Sequence, residues 1–257
     1  MPITEIPNKE LQIKVPVLAC DDEISSKIPE PLDRKSFVYL IVGAKGSGKT
    51  SLMTSLITSS RKPFKCYRGV FDEVILNMPK SSMNSLKGKP FKSLPAGSCY
   101  DNFDMKLLDD IFEKAEERVE EEEYTVAIID DASSQLKSNK PLIDRLTQMV
   151  HRHRHLRLSI MILVQDLVSV PLSIRKNADA IMYFRPTNEK SNEIFKEEFL
   201  GGFSKKQVQE LMKYVFRKKG DFLYIKLNVI PFEYYRCFNK LIFSNNKETN
   251  DNESSFP

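Results

Sequence analysis

Glycine is scarce in this chain, with nine among 257 residues. Cysteine is scarcer: Cys20, Cys66, Cys99 and Cys237 stand singly, with no C-x-x-C pair. That excludes a zinc ribbon or a dithiol redox motif and fits a reducing compartment. Long apolar runs are missing. None approaches the roughly 18 residues of a membrane span, and the longest, around Ile160 to Val164, has the length of a strand. The opening residues, MPITEIPNKELQIKV, lack the basic-then-apolar order of a signal peptide. Secretion and membrane insertion are therefore not expected. Net charge is small, +4, too little by itself to announce nucleic-acid binding.

The balance of 41% hydrophobic and 29% charged residues is that of a globular protein. A chain of this size buries about 70% of its surface, so its core needs no disulfide or metal staple. Charge is unevenly spread. Residues 109–123 carry nine acids and two bases, whereas 141–157 carry four arginines, one acid and all three histidines. Such asymmetry suggests distinct faces for distinct partners. The few glycines are also uneven, since Gly43, Gly46 and Gly48 fall within six residues.

Residues 1–36 hold five prolines and little periodicity and read as an extended lead-in. Residues 37–243 read as one domain, and the polar tail 244–257 as disordered. Within the domain, Phe37–Val42 is a buried strand and Lys49–Ser60 a helix stopped near Pro63. Gly69–Asn77 reads as a second strand, and 79–103 as a loop-rich insert. Asp104–Glu122 carries a helical stripe of Leu108, Ile111, Phe112, Ala115 and Val119. Further strands are expected at Tyr124–Ile129, Leu158–Val164, Ala178–Phe184 and Phe222–Leu227. Helices fall at about Pro141–His153 and after the capping box Ser204-x-x-Gln207, the latter closing at Gly220. Alternating strands and helices predict an α/β fold, a mainly parallel sheet with helices on both faces.

Gly43-Ala44-Lys45-Gly46-Ser47-Gly48-Lys49-Thr50 matches G-x-x-x-x-G-K-[ST] at every fixed position, between a buried strand and a helix. In this motif the glycines let backbone N–H groups close around phosphate oxygens. The helix that begins there, with Ser51 in its first turn, turns its positive end toward the same anion. Lys49 would reach the β- and γ-phosphates, and the Thr50 hydroxyl would ligate Mg²⁺. ATP and Mg²⁺ are thus the expected cofactors.

Val126-Ala127-Ile128-Ile129-Asp130-Asp131 is an apolar strand ending in two carboxylates. Such a strand delivers its acids to the ligand end of a parallel sheet. Asp130 is expected to hold Mg²⁺ and Asp131 to orient or deprotonate the attacking water. Paired acids favour an ATP-spending motor over a switch GTPase, and no N-K-x-D guanine loop exists: Asn188-Glu189-Lys190-Ser191 fails it. A small-molecule kinase would need an arginine-rich lid and gives no reason for Asp131. The next strand ends at Gln165, an amide placed to sense the γ-phosphate.

His151-Arg152-His153-Arg154-His155-Leu156-Arg157 admits three readings. A metal could use His151 and His155, one helical turn apart. The stretch could be a solvated basic turn. It could also present an arginine to a phosphate, in cis or to a neighbouring subunit. Arg154 is the first choice and Arg152 the second, with Arg145, Arg175 and Arg185 as outsiders.

The combination of G-A-K-G-S-G-K-T, I-I-D-D and R-H-L-x-x-S-I-x-I-L-x-Q, the last running from Arg154 to Gln165, resembles the genome-packaging ATPases of large eukaryotic DNA viruses. These are the poxvirus-type members of the FtsK/HerA superfamily. The resemblance spans roughly 37–185. It implies a RecA-like P-loop ATPase core in which the strand ending at Gln165 lies between the phosphate-loop strand and the acid strand. It also implies a homo-oligomeric ring, a pentamer or hexamer, with ATP sites between neighbours. Such a ring would pump double-stranded DNA into a preformed capsid, docked on a capsid or capsid–membrane protein, in the virion and the infected host-cell cytoplasm. The resemblance assigns Lys49 and Thr50 to phosphate and Mg²⁺, Asp130 to Mg²⁺, Asp131 to water activation and Gln165 to sensing; Arg154 lies within the matching motif. Two other functions compete: a cellular-type DNA pump of the same superfamily, and an ATP-binding scaffold with little turnover. Lysines 80, 87, 89 and 92 of the insert are candidates for salt-dependent contacts to DNA.

Overall fold

The computed structural model describes residues 19–59 and 66–243. Four of its strands are apolar but for Thr125 and Ser159: β1 (Val38–Val42), β4 (Thr125–Ile129), β5 (Leu158–Val164) and β6 (Ala180–Phe184). Every residue of these four is buried, the pattern of strands covered on both faces. The sheet is completed by β2 (Glu73–Asn77), β3 (Cys99–Tyr100), β7 (Phe222–Lys226), β8 (Glu233–Arg236) and β9 (Asn239–Lys240). Its order is β3-β2-β4-β5-β1-β6-β7-β8-β9. The six strands from β3 to β6 are mutually parallel, and the last three are antiparallel. The expected mainly parallel sheet is present, and β5 lies between β1 and β4.

One face of the sheet packs on α3 (Met105–Glu120), α5 (Lys140–Arg152), α7 (Glu189–Phe199) and α8 (Lys205–Val215). The other face packs on α1 (Lys49–Thr58). Short helices α2 (Lys80–Ser85), α4 (Gln135–Ser138) and α6 (Leu172–Lys176) fill connections. Caps fix the helix starts. Asp104 accepts from the Leu107 N–H at 3.0 Å, and Ser204 and Gln207 close the expected capping box. Leu107, Leu108, Ile111, Phe112 and Ala115 form the buried stripe of α3.

Several boundaries differ from the sequence reading. The second strand starts at Glu73, because Gly69 takes a left-handed φ of 64° and turns the chain first. The insert 79–103 contains α2 and β3. The last helix ends at Val215, so Gly220 belongs to the next turn. The described part of the lead-in is turned, not extended, and Ile28 and Leu32 are buried in the core on the α1 face. It is held by polar bonds: Asp33 N–H donates to the Tyr39 hydroxyl at 2.8 Å, Tyr67 donates to the Asp33 carbonyl at 3.0 Å, and Asn228 donates to the Asp33 carboxylate at 2.8 Å. The expected helix end at Ser60 and Pro63, residues 1–18 and the tail from Ser244 lie outside the described residues. No helix among those described is long and apolar enough to cross a membrane.

Candidate nucleotide site

The parallel register pairs Val42 with Val164, and Leu76 and Asn77 with Ile128 and Ile129. The loops after β1, β4 and β5 therefore leave the sheet at one edge. Lys49, Thr50, Asp130, Asp131 and Gln165 arrive there, and Arg154 does not. Gly43 N–H donates to the Val164 carbonyl at 3.1 Å, tying the phosphate loop to the strand that ends at Gln165. Gly46 and Gly48 have φ of 76° and 114°, a region that L side chains avoid. Gly43 is required by space instead. A Cβ there would lie 2.6 Å from the Phe184 Cβ and 2.8 Å from the Ser47 Oγ. The Phe184 Cβ is fixed to the backbone and cannot swing aside, although the Ser47 hydroxyl can rotate. Gly43→Ala is expected to cost about 1–3 kcal/mol through overpacking, read as a lowered midpoint in thermal or denaturant unfolding. An unchanged midpoint would contradict this packing.

The Lys49 ammonium donates to the Gly43 carbonyl at 2.6 Å and the Ala44 carbonyl at 3.3 Å. Burial lowers its pKa, opposed by Asp130 and Asp131. Thr50 Oγ1 donates to Asp130 Oδ2 at 3.2 Å. Asp130 is buried, 6% exposed, and its backbone N–H donates to the Asn77 carbonyl at 3.0 Å. Burial raises its pKa, countered by the Thr50 hydrogen bond and the Lys49 charge. A hydroxyl and a carboxylate side by side, both oxygen donors, suit Mg²⁺. The buried Ser47 hydroxyl has no hydrogen-bond partner among the described residues. These residues fit a polyphosphate and its Mg²⁺.

Asp131 is exposed, with φ 61°. Its Oδ1 accepts from Gln165 Nε2 at 3.0 Å, so the second acid and the amide at the end of β5 form one unit. Ser133 supports that unit, its Oγ accepting from the Gln165 N–H at 2.8 Å. Sequence reading missed Ser133, and a lone serine in a polar turn gives no signal for it.

Arg154 lies elsewhere. It precedes β5, so it sits at the sheet edge opposite the phosphate loop, the length of a seven-residue strand away, about 20 Å. It therefore cannot serve the loop of its own chain, and the cis reading falls. Its guanidinium is half exposed and pairs with Asp179 Oδ1 at 3.1 Å. Asp179 is buried, and its other oxygen accepts from the Val38 N–H at 2.8 Å and lies 3.4 Å from His153 Nε2. Burial would raise the Asp179 pKa, but His153, the Val38 N–H and Arg154 outweigh it and hold the carboxyl below its ordinary value. Three of the other arginines are also paired. Arg145 pairs with Asp109 at 2.9 Å, Arg152 with Glu116 at 3.4 Å, and both stack on Phe112. Arg175 is clamped by Glu198 at 2.6 Å. Arg185 follows β6 and is exposed. Among the described residues no group of three His, Cys, Asp or Glu side chains is placed to hold a metal, so His151 and His155 find no further such ligand.

Sheet order, phosphate loop and paired acids define a P-loop nucleotide-binding protein with a RecA-like core. No family model and no curated protein matches the sequence; solved structures do. The chain is similar to the DNA-packaging ATPase from Sulfolobus Turreted Icosahedral Virus, with a TM-score of 0.58 at 17% identity over 78% of this chain and 97% of that one. It is also similar to the genome packaging NTPase from Sulfolobus turreted icosahedral virus 2 in complex with ATP-gammaS, with a TM-score of 0.54 at 18% identity over 78% and 97%. EssC (ATPases 2 and 3) from Geobacillus thermodenitrificans gives a TM-score of 0.52 at 14% identity, over 74% of this chain and 37% of that one. The chain thus carries the fold of viral genome-packaging ATPases.

Proposed function

We propose that this chain is an ATPase that drives double-stranded DNA into a preformed viral capsid. The observation that carries the reading is the hydrolytic arrangement at one sheet edge: Thr50 bonded to Asp130, and Gln165 bonded to Asp131, both beside the phosphate loop. The packaging role is supported by the likeness to the two viral packaging enzymes together with the Arg154–Gln165 motif.

In this reading the N–H groups of residues 44–46 and 48–51 and the Lys49 ammonium hold the phosphate chain. Thr50 and Asp130 would hold Mg²⁺, which would supply charge neutralisation on the phosphate oxygens. Asp131 takes the proton as a water oxygen bonds to the γ-phosphorus and the bond to the β–γ bridging oxygen breaks. Gln165 donates to Asp131 and couples the state of that carboxylate to β5. Arg154, at the far edge, serves the site of the next subunit in a ring of five or six. The ring would dock on a capsid or capsid–membrane protein, in the virion and the infected host-cell cytoplasm. Residues 37–243 form the motor domain, with Ile28 and Leu32 of the lead-in packed into its core.

The insert supports a transient grip on DNA. Phe91 is buried and anchors it, whereas Lys87, Lys89 and Lys92 are exposed and make no ion pair among the described residues. Lys80 instead pairs with Asp101 at 2.6 Å. A few phosphate contacts give sequence-independent binding that weakens with salt.

The test is ATP turnover with and without linear duplex DNA, beside Lys49→Ala. Stimulation by duplex of any sequence, fading as salt rises, is expected. Turnover indifferent to nucleic acid would overturn the DNA role, and none above the Lys49→Ala background would favour a scaffold.

A further inference from the structure

A second turn lies against the phosphate loop. It joins α8 to β7 and reads Arg217-Lys218-Lys219-Gly220. Because β7 runs antiparallel to β6, with Phe222 opposite Phe184, the turn emerges at the edge where the phosphate loop sits. The contact is close: a Cβ on Gly48 would lie 3.8 Å from the Gly220 Cα and 3.4 Å from the Phe184 ring.

The turn is built, not slack. Gly220 has φ of 90°. Asp221, 3% exposed, accepts from the N–H groups of Arg217 at 3.2 Å and Lys218 at 3.0 Å. Arg236 donates to the same carboxylate at 3.0 Å and balances its charge. Arg217 is tied back, its Nε donating to the Tyr214 carbonyl at 3.0 Å and its guanidinium 4.1 Å from the Tyr214 ring centre. Lys218 and Lys219 remain. Both are exposed, and neither makes an ion pair among the described residues. Two lysines on flexible stems, without an ion pair among the described residues, thus belong to the turn whose Gly220 lies against a loop shaped for an anion.

We propose that Lys218 and Lys219 form a second, cis phosphate-binding element of the nucleotide site. Sheet order gives them a distinct place. The acids follow β4, on one side of the phosphate-loop strand beyond β5, and the lysine turn precedes β7, on the other side beyond β6. The two lysines grip the polyphosphate from the flank away from Asp130 and Asp131. The inference rests on reading residues 43–51 as a nucleotide site.

The test is equilibrium binding of a fluorescent ATP analogue to the full chain, at two salt concentrations. Four proteins are compared: wild type, Lys218→Ala/Lys219→Ala, Lys49→Ala, and Lys205→Ala/Lys206→Ala. The last removes two exposed lysines from the opposite end of α8. The 218/219 pair is expected to weaken binding about tenfold, more at low salt, with an unchanged melting temperature, and the 205/206 pair to bind as wild type. Wild-type affinity in the 218/219 variant overturns the proposal while the nucleotide site stands. Equal losses in both lysine pairs also overturn it, as a general charge effect. Failure of wild type to bind, or undiminished binding by Lys49→Ala, overturns the nucleotide site and the proposal with it.

Discussion

Arg154→Ala is expected to lower ATP turnover by about 10³- to 10⁵-fold, the usual worth of an arginine finger, or about 4–7 kcal/mol of barrier. Nucleotide binding by the same subunit is expected to stay intact, because Arg154 and the phosphate loop lie at opposite edges of one sheet. The loss has a signature that a folding defect lacks. Arg154→Ala subunits keep their own loop, and Lys49→Ala subunits keep their arginine. Mixed rings therefore contain interfaces with both parts, and mixing two inactive proteins is expected to restore turnover. Absence of recovery on mixing, with both variants folded and assembled, would remove Arg154 from the neighbour's site. Asp179 makes the arginine available in one place: its carboxylate holds the guanidinium at 3.1 Å and is itself pinned by the Val38 N–H.

Asp131→Asn is the second large effect. The position has φ of 61°, and asparagine tolerates that left-handed region as aspartate does. Its side-chain oxygen can still accept the Gln165 hydrogen bond, now 3.0 Å long. The substitution therefore removes charge and basicity and little else. Loss of a general base costs about 10²- to 10⁴-fold, so turnover is expected to fall by that factor with ATP affinity retained. Asp130→Asn is expected to differ, because Asp130 is buried against Thr50 and its change weakens Mg²⁺-dependent binding as well. Normal turnover in Asp131→Asn would take the water-activating role away from this carboxylate.

The parts of the molecule legible in the sequence are those whose signal is local. The phosphate loop is a fixed spacing between a buried strand and a helix. β5 is a seven-residue strand, apolar except for Ser159, whose bounds match the structure, Leu158–Val164. The α8 start follows from one capping box. Elements held by distant partners left no such trace. β3 has two residues and exists because Leu76 and Asn77 pair with it. β8 reads Glu-Tyr-Tyr-Arg, polar at both ends, and is a strand because β7 lies beside it. α7 offers only Ile194, Phe195 and Phe199 among charged residues, and the stacking of Phe195 on Tyr183 at 3.7 Å sets it in place. The lead-in folds back through Asp33 and Asn228, which are 195 residues apart. Asp179 and the Lys218-Lys219 turn carry no motif; only the topology brings one to Arg154 and the other to Gly48.

The central claim is that ATP hydrolysis at this site moves the protein along duplex DNA. Displacement of a triplex-forming third strand from a linear duplex tests it most directly, since a translocating motor strips the third strand without melting the duplex. The account predicts ATP-dependent displacement by the wild-type chain, starting later as the third strand is placed farther from the duplex end, and none by Lys49→Ala. Active ATP turnover on duplex DNA with the third strand left in place would contradict it.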